Sequence, residues 1–431
     1  MNKKFSIKVF QLFSIIIISA LLGYYFGTNK ITYEWKNFSP ILNVQSQNPP
    51  PGQNLDMSLF YKILDKINSD YYDKSKIDSQ KILYGAINGM LQSLNDPYTS
   101  FFPPQENASF KTQLSGEFSG IGAELGMSSD NKIMVISPLD DSPAQKAGIK
   151  SGDIILKVDG ADTTGWSLSQ AVDKIRGPKG TNVNLSVLHQ NSKNPTDIVI
   201  TRNTIIVKSV TGWVKNISCS NNNCKSVSDN SSPSIAYIRL SQFGDKTNNE
   251  WIALINQLDM KINNSKNFKG VILDLRNNPG GYLNDAVFIA SEFLDVSTSV
   301  VLQEDNTSQI KELDVQRKGL LVDKNHYPLI VLVNKGSASA SEIVAGALRD
   351  HNRAKLVGEK TFGKGTVQEA VELGNGASVH VSIAKWLTPN KTWVNKTGLE
   401  PDISVSLDTS NAAKTKEFDS QLQRAIQELI K

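Results

Sequence analysis

The sequence of 431 residues predicts an α/β protein with more than one domain. Two observations support this prediction. In the second half of the chain, apolar segments of strand length alternate with amphipathic helical patterns, which is typical of a buried sheet with helices packed on it. Before that core, residues 115–204 contain a separate series of short strands with one helix. A chain of this length can form two or three domains, each with its own hydrophobic core.

The charge and the histidines exclude some classes of function. The formal net charge is only +4, and the basic residues form no run interleaved with aromatic residues. No nucleic-acid partner is therefore predicted. The four histidines are scattered, and none has metal-ligand spacing with cysteine or with a second histidine. The sequence predicts neither a metal ion nor a cofactor.

The N-terminal segment has the properties of a membrane anchor. Residues 9–27 carry no charge and follow Lys3, Lys4 and Lys8. This length can span a bilayer as a helix, and the basic flank favours a cytoplasmic N-terminus. A cleaved signal peptide usually has a shorter apolar region that ends at a small-residue cleavage site, and no such site is evident. We therefore expect residues 1–30 to form a cytoplasmic stub and a single transmembrane anchor, with the body outside the cytoplasm.

Two further segments precede the strand series. Residues 31–55 are rich in Pro, Asn and Gln and predict a flexible tether. Residues 56–110 predict a small helical region whose apolar faces must pack on the body or on another subunit. Its two patterns have helical spacing and comprise Phe60, Ile63, Leu64, Ile67 and Tyr71, followed by Ile82, Leu83, Ile87, Met90, Leu91 and Leu94.

The strand series over residues 111–205 includes the segment AGIKSGDIILKVDG and the helix LSQAVDKIRG. These motifs resemble a PDZ domain. The resemblance implies that an extended peptide adds to a sheet edge while loop amides capture its terminal carboxylate. The implied loop consists of Ser119, Gly120, Ile121 and Gly122. Arg176, just after the helix, either connects peptide binding to the core or only complements the helix dipole; a spacer or lid role for the whole domain is the alternative.

Residues 206–410 predict the α/β core, followed by a C-terminal helical segment over residues 411–431. In the segment GVILDLRNNPGG, alternation places Asp274 and Arg276 on one side of an apolar strand, which predicts a structural ion pair near the site. The glycine turn that follows offers free backbone N–H groups. In an exported chain, Cys219 and Cys224 are expected to close a short disulfide hairpin.

Residues 334–368 carry the strongest chemical signal. Ser337, Ser339 and Ser341 lie in a turn between an apolar strand and an amphipathic helix, where free N–H groups can stabilise an oxyanion. Serines at a helix start are also common caps. Farther along, Lys364 lies between two glycines in TFGKGTVQ. Desolvation in such a loop lowers the pKa of a lysine, so that the neutral amine can act as a base.

The SASASE and FGKG motifs resemble those of the C-terminal processing peptidases, which are serine proteases with a Ser/Lys dyad. The resemblance covers most of the chain after residue 56. It implies that Ser339 is the nucleophile, that Lys364 is the base and that Gln368 is an additional catalytic residue. On an unbroken strand, Lys364 and Gln368 would lie ~13 Å apart, so a contact between them requires a bend at the glycines.

The same resemblance implies a crotonase-like βα core, a dimer and an oxyanion hole. The expected oxyanion donors are Gly280 or Gly281, together with the N–H of Ala340. Glu342 follows Ser339 by three residues and lies on a similar helix face. It is therefore a candidate supporting residue, or it only complements the helix dipole.

We therefore predict a membrane-anchored, extracytoplasmic serine endopeptidase that recognises free protein C-termini and cuts nearby peptide bonds. The main alternative is a catalytically silent PDZ scaffold that binds exported proteins. A Ser/His/Asp hydrolase is disfavoured because the chain has no GxSxG motif and no histidine in a catalytic motif.

Overall fold

The computed structural model describes residues 17–19, 31–36, 39–44, 56–128, 130–139, 141–190, 192–220, 223–323, 325–408 and 417–431. The chain divides into two compact units, Met1–Ile82 and Leu83–Lys431. Of the predicted anchor at residues 9–27, only residues 17–19 are described, and they are helical. Within the described ranges, no helix has both the length and the apolar character needed to cross a bilayer. The rest of the predicted anchor lies outside those ranges.

The first unit contains a strand pair and a helix. Strands β1 (Ile31–Lys36) and β2 (Ser39–Val44) are antiparallel, so the prediction of an irregular tether over residues 31–55 is wrong for these two strands. The segment ITYEWK alternates Ile31, Tyr33 and Trp35, which favour strands, although Pro, Asn and Gln dominate the surrounding composition. Helix α1 (Ser58–Asp70) and a 3₁₀ turn (Lys74–Lys76) follow.

The predicted helical region does more than form helices. Helix α2 (Ser79–Gln92) is followed by strand β3 (Ser100–Phe102) and helix α3 (Pro104–Ser115). Leu91 and Phe101 form a small apolar cluster with Ala377 of the core. Strand β3 also pairs with a core strand, where Ser100 lies opposite His380. Residues 83–115 are therefore built into the peptidase core.

The PDZ-like region is a separate sheet with its own apolar core. Strand β4 (Glu117–Gly120) leads into it and pairs with β11 (Asn203–Ile206), on the return to the core. The sheet has the order β10-β9-β7-β6-β5, with β8 paired to β7, so β5 has a free edge, and helix α5 packs beside it. The elements are β5 (Ala123–Met127), β6 (Ile133–Pro138), α4 (Pro143–Lys146), β7 (Ile154–Val158), β8 (Ala161–Asp162), α5 (Leu168–Ile175), β9 (Asn182–Leu188) and β10 (Thr196–Thr201).

The core has a seven-stranded sheet of order β13-β12-β14-β15-β18-β19-β22, in which the five strands from β14 to β22 run parallel. The mixed α/β prediction is confirmed. The sheet strands are β12 (Val210–Ser220), β13 (Asn223–Val227), β14 (Ser234–Leu240), β15 (Phe268–Asp274), β18 (Leu329–Val333), β19 (Ala354–Gly358) and β22 (Ile403–Ser404), and the helices are α6 (Thr247–Asn263), α7 (Leu283–Ala290), α8 (Ala340–Asp350) and α9 (Ser420–Ile430).

Alternate residues of the central strands serve two apolar layers. Val331 and Val333 pack toward α6, α7 and α8, whereas Ile330 and Leu332 pack toward α9. The predicted disulfide between Cys219 and Cys224 is present at the tip of the β12–β13 hairpin. That tip is joined to α9 by Cys224 and Gln423, which exchange two hydrogen bonds of 2.6 and 2.8 Å. The C-terminal helix therefore covers one face of the sheet.

A second sheet of order β17-β16-β21-β20 completes the core, with β3 added to β21. It carries the glycine-lined lysine loop directly before β20, so it brings that loop to the serine turn. Its strands are β16 (Ser299–Asp305), β17 (Ile310–Asp314), β20 (Thr366–Gly374) and β21 (Ala377–Leu387).

Candidate active site

The structure distinguishes three serines that are equivalent in the sequence. Ser337 is fully buried, and its hydroxyl donates to the carbonyl of Leu275 at 2.8 Å. Ser341 is also fully buried, and its hydroxyl donates to the carbonyl of Asn278 at 2.9 Å. Ser339 instead lines an open cavity of about 420 Å³. Two of the serines therefore hold the turn together, and only Ser339 is presented to a ligand.

The backbone at Ser339 adopts an unusual conformation. Its φ of 55° and ψ of −115° place it in a region that residues other than glycine rarely occupy. Such a conformation costs about 1–3 kcal/mol and persists only when surrounding contacts enforce it. Here the residue lies at the junction of β18 and α8, and its N–H donates to the carboxylate of Glu342 at 2.9 Å. From this conformation, Ser339 lines the cavity at the start of the helix.

Glu342 connects the serine turn to the lysine loop. Its fully buried carboxylate also accepts the N–H of Lys364 at 2.9 Å, the N–H of Gly363 at 2.7 Å and the hydroxyl of Thr361 at 2.6 Å. Burial raises the pKa of Glu342, and these donors oppose that rise. The sequence-based alternative is that Glu342 only complements the helix dipole. It does not account for these hydrogen bonds to the lysine loop, which follows the next strand, β19.

Lys364 lines the same cavity as Ser339. Burial lowers the pKa of its ammonium, and the negative charge of Asp96 partly opposes this effect. The Nζ atom lies 5.3 Å from the centre of the Tyr98 ring. Across the described residues, no hydrogen bond joins Ser339 to Lys364. The two side chains therefore share one cavity, in which Lys364 is partly desolvated.

Asp96 and Tyr98 are residues that the sequence interpretation missed. Asp96 accepts hydrogen bonds from the N–H of Tyr98 at 3.0 Å and the hydroxyl of Thr99 at 2.7 Å. The Tyr98 hydroxyl donates to the carbonyl of Gly363 at 3.3 Å, which anchors the lysine loop. The Asn-Asp-Pro turn before Tyr98 was a visible turn signal. Nothing in it indicated a contact with a loop so far along the chain.

Replacement of Asp96 by asparagine should shift the acidic limb of the pH–kcat/KM profile to lower pH. The reason is that the carboxylate stabilises the ammonium of Lys364, so its removal lowers the pKa of that group further and exposes the neutral amine at lower pH. Peptide cleavage measured across pH checks this, with Asp197→Asn on the exposed face of β10 as the control. An unshifted limb in Asp96→Asn would contradict the electrostatic coupling.

Gln368 lies in the cavity wall, and its side-chain hydrogen bonds go to residues other than Lys364. Its amide donates to the hydroxyls of Thr366 at 2.7 Å and Ser382 at 3.3 Å. Lys364 precedes β20, and the β20–β21 register shifts at Val367/Gln368. No hydrogen bond joins Lys364 to Gln368 within the described residues, and the role of Gln368 stays a prediction.

The glycine turn lies against the serine. A Cβ added to Gly280 would be 2.8 Å from both the Ala338 carbonyl and the Ser339 Cβ. The N–H of Gly280 donates to the side chain of Asn278 at 2.9 Å. No acceptor within the described ranges receives the N–H of Gly281 or that of Ala340. Of the two glycines expected in the oxyanion hole, only Gly281 has its amide free.

Asp274 and Arg276 form the predicted ion pair, but they do not line the Ser339 cavity. They lie beside a different cavity of about 250 Å³. Burial would raise the pKa of Asp274, but Arg276 and Arg239 hold it below its ordinary value. Arg276 also binds Asp419 at 2.9 Å, which fixes the start of α9. The pair is therefore structural, as predicted, but it does not contact the site.

The PDZ-like loop has the features expected for carboxylate binding. The N–H groups of Ile121 and Gly122 donate to no acceptor in the described part of the chain, and both residues directly precede the free edge strand β5. Ser119 and Gly120 belong to β4, which is paired with β11. Arg176 stacks over the Phe118 ring at 4.8 Å and lines a cleft of about 850 Å³ that also reaches Gln242 of the core. Arg176 thus lies at the boundary between the domains.

Comparison with known proteins agrees with this architecture. A model of peptidase family S41 matches residues 234–405, a PDZ-domain model matches residues 111–188, and a model of the activating protease CtpB N-terminal domain matches residues 16–105. The chain is 37% identical to carboxy-terminal processing protease CtpB of Bacillus subtilis over 352 residues. This match covers 81% of this chain and 68% of the relative. It is 38% identical over 349 residues to the carboxy-terminal-processing protease of Bartonella bacilliformis, with coverages of 81% and 75%.

A solved structure described as an S41 protease from Bacteroides fragilis matches this chain with a TM-score of 0.54 and 14% identity. The match covers 89% of this chain and 100% of the solved chain. At this identity it supports the fold alone. The fold and the site define a serine peptidase that carries a PDZ domain. More specifically, the chain belongs to the carboxy-terminal processing proteases of peptidase family S41.

Proposed function

We propose that this chain is an endopeptidase whose nucleophile is Ser339 Oγ and whose base is Lys364 Nζ. The observation that carries the proposal is the shared cavity: Ser339 is the serine of the turn that opens into it, and Lys364 is the lysine that lines it. A buried amine with a lowered pKa supplies a base at lower pH than an exposed lysine does. Glu342 holds the backbones of both residues on one carboxylate.

The chemistry would proceed through an acyl-enzyme. Neutral Lys364 accepts the proton of the Ser339 hydroxyl as Oγ attacks the carbonyl carbon of the scissile bond. The negative charge that develops on the carbonyl oxygen is stabilised by the N–H groups of Ala340 and Gly281. The ammonium then donates its proton to the leaving amine. In the second half, neutral Lys364 takes a proton from water as the water oxygen attacks the ester carbonyl. The ester C–Oγ bond then breaks, the new C-terminal acid leaves, and the Lys364 ammonium returns the proton to Ser339 Oγ.

Covalent labelling tests the nucleophile directly. A serine-directed fluorophosphonate should label the wild-type chain at Ser339, as identified by peptide mass spectrometry, and should label Lys364→Ala much more slowly. Turnover of casein or of C-terminal peptides by the purified chain tests the activity itself. Labelling of Ser339 without turnover of any peptide would favour the alternative of a PDZ scaffold that only binds exported proteins. The absence of both labelling and turnover would favour it as well.

Substrates are proposed to be proteins with free C-termini, bound through the PDZ domain. The free edge of β5 can accept an extended peptide strand, and the unpaired amides of Ile121 and Gly122 can receive its carboxylate. Arg176, in the cleft between the domains, would transmit the bound state to the core.

Amidation of a peptide C-terminus should weaken its binding to the full chain. The amide lacks the charge that the loop N–H groups would receive, so we expect an increase in Kd of about tenfold. Fluorescence anisotropy with Ser339→Ala avoids cleavage during the measurement. Equal Kd values for the free and amidated peptides would show that residues 119–122 do not bind the carboxylate.

We also propose that residues 9–27 anchor the chain in a membrane with its body outside the cytoplasm, based on the uncharged segment and its lysine flank. Protease added to intact spheroplasts should then digest the body, and protection of the whole chain would refute this topology.

Self-association is proposed through the exposed apolar residues of α1, such as Leu59 and Ile63. Sedimentation of Leu59→Ser against wild type tests it.

A further inference from the structure

The cleft between the domains and the Ser339 cavity meet at a common boundary. Four residues line both spaces: Phe102, Phe110, Gln113 and Gln242. The side-chain amide of Gln242 donates to the backbone carbonyl of Gln113 at 3.0 Å, which joins the end of α3 to the core. This boundary therefore combines aromatic surface with amide groups. A passage that binds an extended peptide requires this combination, because apolar surface contacts the side chains of the peptide and amide groups hydrogen-bond to its backbone.

His380 extends the aromatic surface into the Ser339 cavity. Its ring centre lies 4.5 Å from that of Phe102 and 4.9 Å from that of Phe110, and the two phenyl rings are 5.5 Å apart. The three side chains come from β21, β3 and α3, and all are half-buried. We call this set the aromatic wall. Its position is determined by the pairing of β3 with β21, which places Ser100 opposite His380.

The ring nitrogens of His380 are not used in hydrogen bonds that hold the described part of the fold together. Within the described ranges, neither ring nitrogen has a hydrogen-bond partner. Burial and the charge of Lys364 lower the pKa of His380, which favours the neutral ring. A neutral imidazole offers an aromatic face together with one donor and one acceptor. Half-buried aromatic faces beside an open cavity are suited to a large apolar side chain.

We propose that Phe102, Phe110 and His380 form a substrate subsite that binds an aromatic side chain on the C-terminal side of the scissile bond. This inference rests on the proposed function, because a substrate whose C-terminus is held by the PDZ domain extends from Ser339 toward that domain. The wall lies on this side of the Ser339 cavity, at its boundary with the cleft. His380 would thus be a specificity-determining residue.

The test uses peptides with a free C-terminus in which one phenylalanine is moved along an otherwise alanine-rich sequence. Binding is measured with full-length Ser339→Ala, and cleavage with the active chain. We expect one position on the C-terminal side of the cut to favour phenylalanine over alanine by about tenfold. In the His380→Ala and Phe110→Ala backgrounds this preference should fall to about twofold. His380→Phe should retain it, since the aromatic surface is kept.

His326→Ala is the matched control, because His326 is exposed and its ring contacts that of Tyr327. It should keep the wild-type preference. A preference that survives in His380→Ala, or no position that favours phenylalanine in binding, would overturn the subsite. If binding shows the preference while no peptide is cut by the active chain, the proposed catalysis fails and the subsite stands. The binding and cleavage readouts therefore separate the two proposals.

Discussion

Replacement of Lys364 by alanine should lower kcat/KM for peptide cleavage by at least about 10³-fold, because the Ser339 hydroxyl then loses its proposed base. Lys364→Arg should be equally inactive, since the guanidinium stays protonated at any working pH. Ser339→Ala should lose as much, and the double variant should be little worse than either single one, because the two residues act as a unit. Cleavage of a fluorogenic peptide by the purified chain measures these losses.

Lys335→Ala provides the matched control, because this lysine is exposed and lies next to the serine turn. It should cleave the peptide at the wild-type rate. Wild-type activity should rise with pH as Lys364 loses its proton, and burial places this rise at lower pH than for an ordinary lysine. Near-normal cleavage by Lys364→Ala would require another base, and the Ser/Lys assignment would have to be abandoned.

Replacement of Glu342 by alanine should reduce both stability and activity. Four donors would lose their acceptor in a buried space: the amides of Ser339, Gly363 and Lys364 and the Thr361 hydroxyl. Each unsatisfied buried donor costs about 1–3 kcal/mol, and partial rearrangement makes a total of about 3–5 kcal/mol the expected loss. Urea denaturation measures the free energy of unfolding. Glu369→Ala, at an exposed position, is the control.

Glu342→Gln separates the two effects. The glutamine keeps the shape and one acceptor oxygen, but its NH₂ group would face N–H donors. We expect a folded protein with kcat reduced by about 10²-fold and KM little changed, because Glu342 positions the dyad without touching substrate. A Glu342→Gln chain that cleaves at the wild-type rate would show that the shared carboxylate is not needed to align Ser339 with Lys364.

Much of the candidate site could be predicted because its signals are local. The strand, small-residue turn and helix around Ser339 are continuous in sequence, and the glycines that flank Lys364 are its immediate neighbours. Local patterns could not rank the residues within the turn. Ser337 and Ser341 are buried by contacts with Leu275 and Asn278, which belong to a different strand and turn.

The sequence by itself determined the order of the domains, the α/β character of the core and the cysteine pair, because periodicity and short spacings report directly on local structure. Its resemblance to a known family supplied the two dyad candidates. The tertiary structure decided what surrounds them. It joined Tyr98 to Gly363 across 265 residues, brought His380 to the cavity and removed Asp274 from it. It also joined the N–H of Gly280 to the side chain of Asn278 by a hydrogen bond, whereas the N–H of Gly281 has no acceptor within the described residues. These outcomes depend on strand pairing between distant segments, and no local pattern encodes which segments will pair.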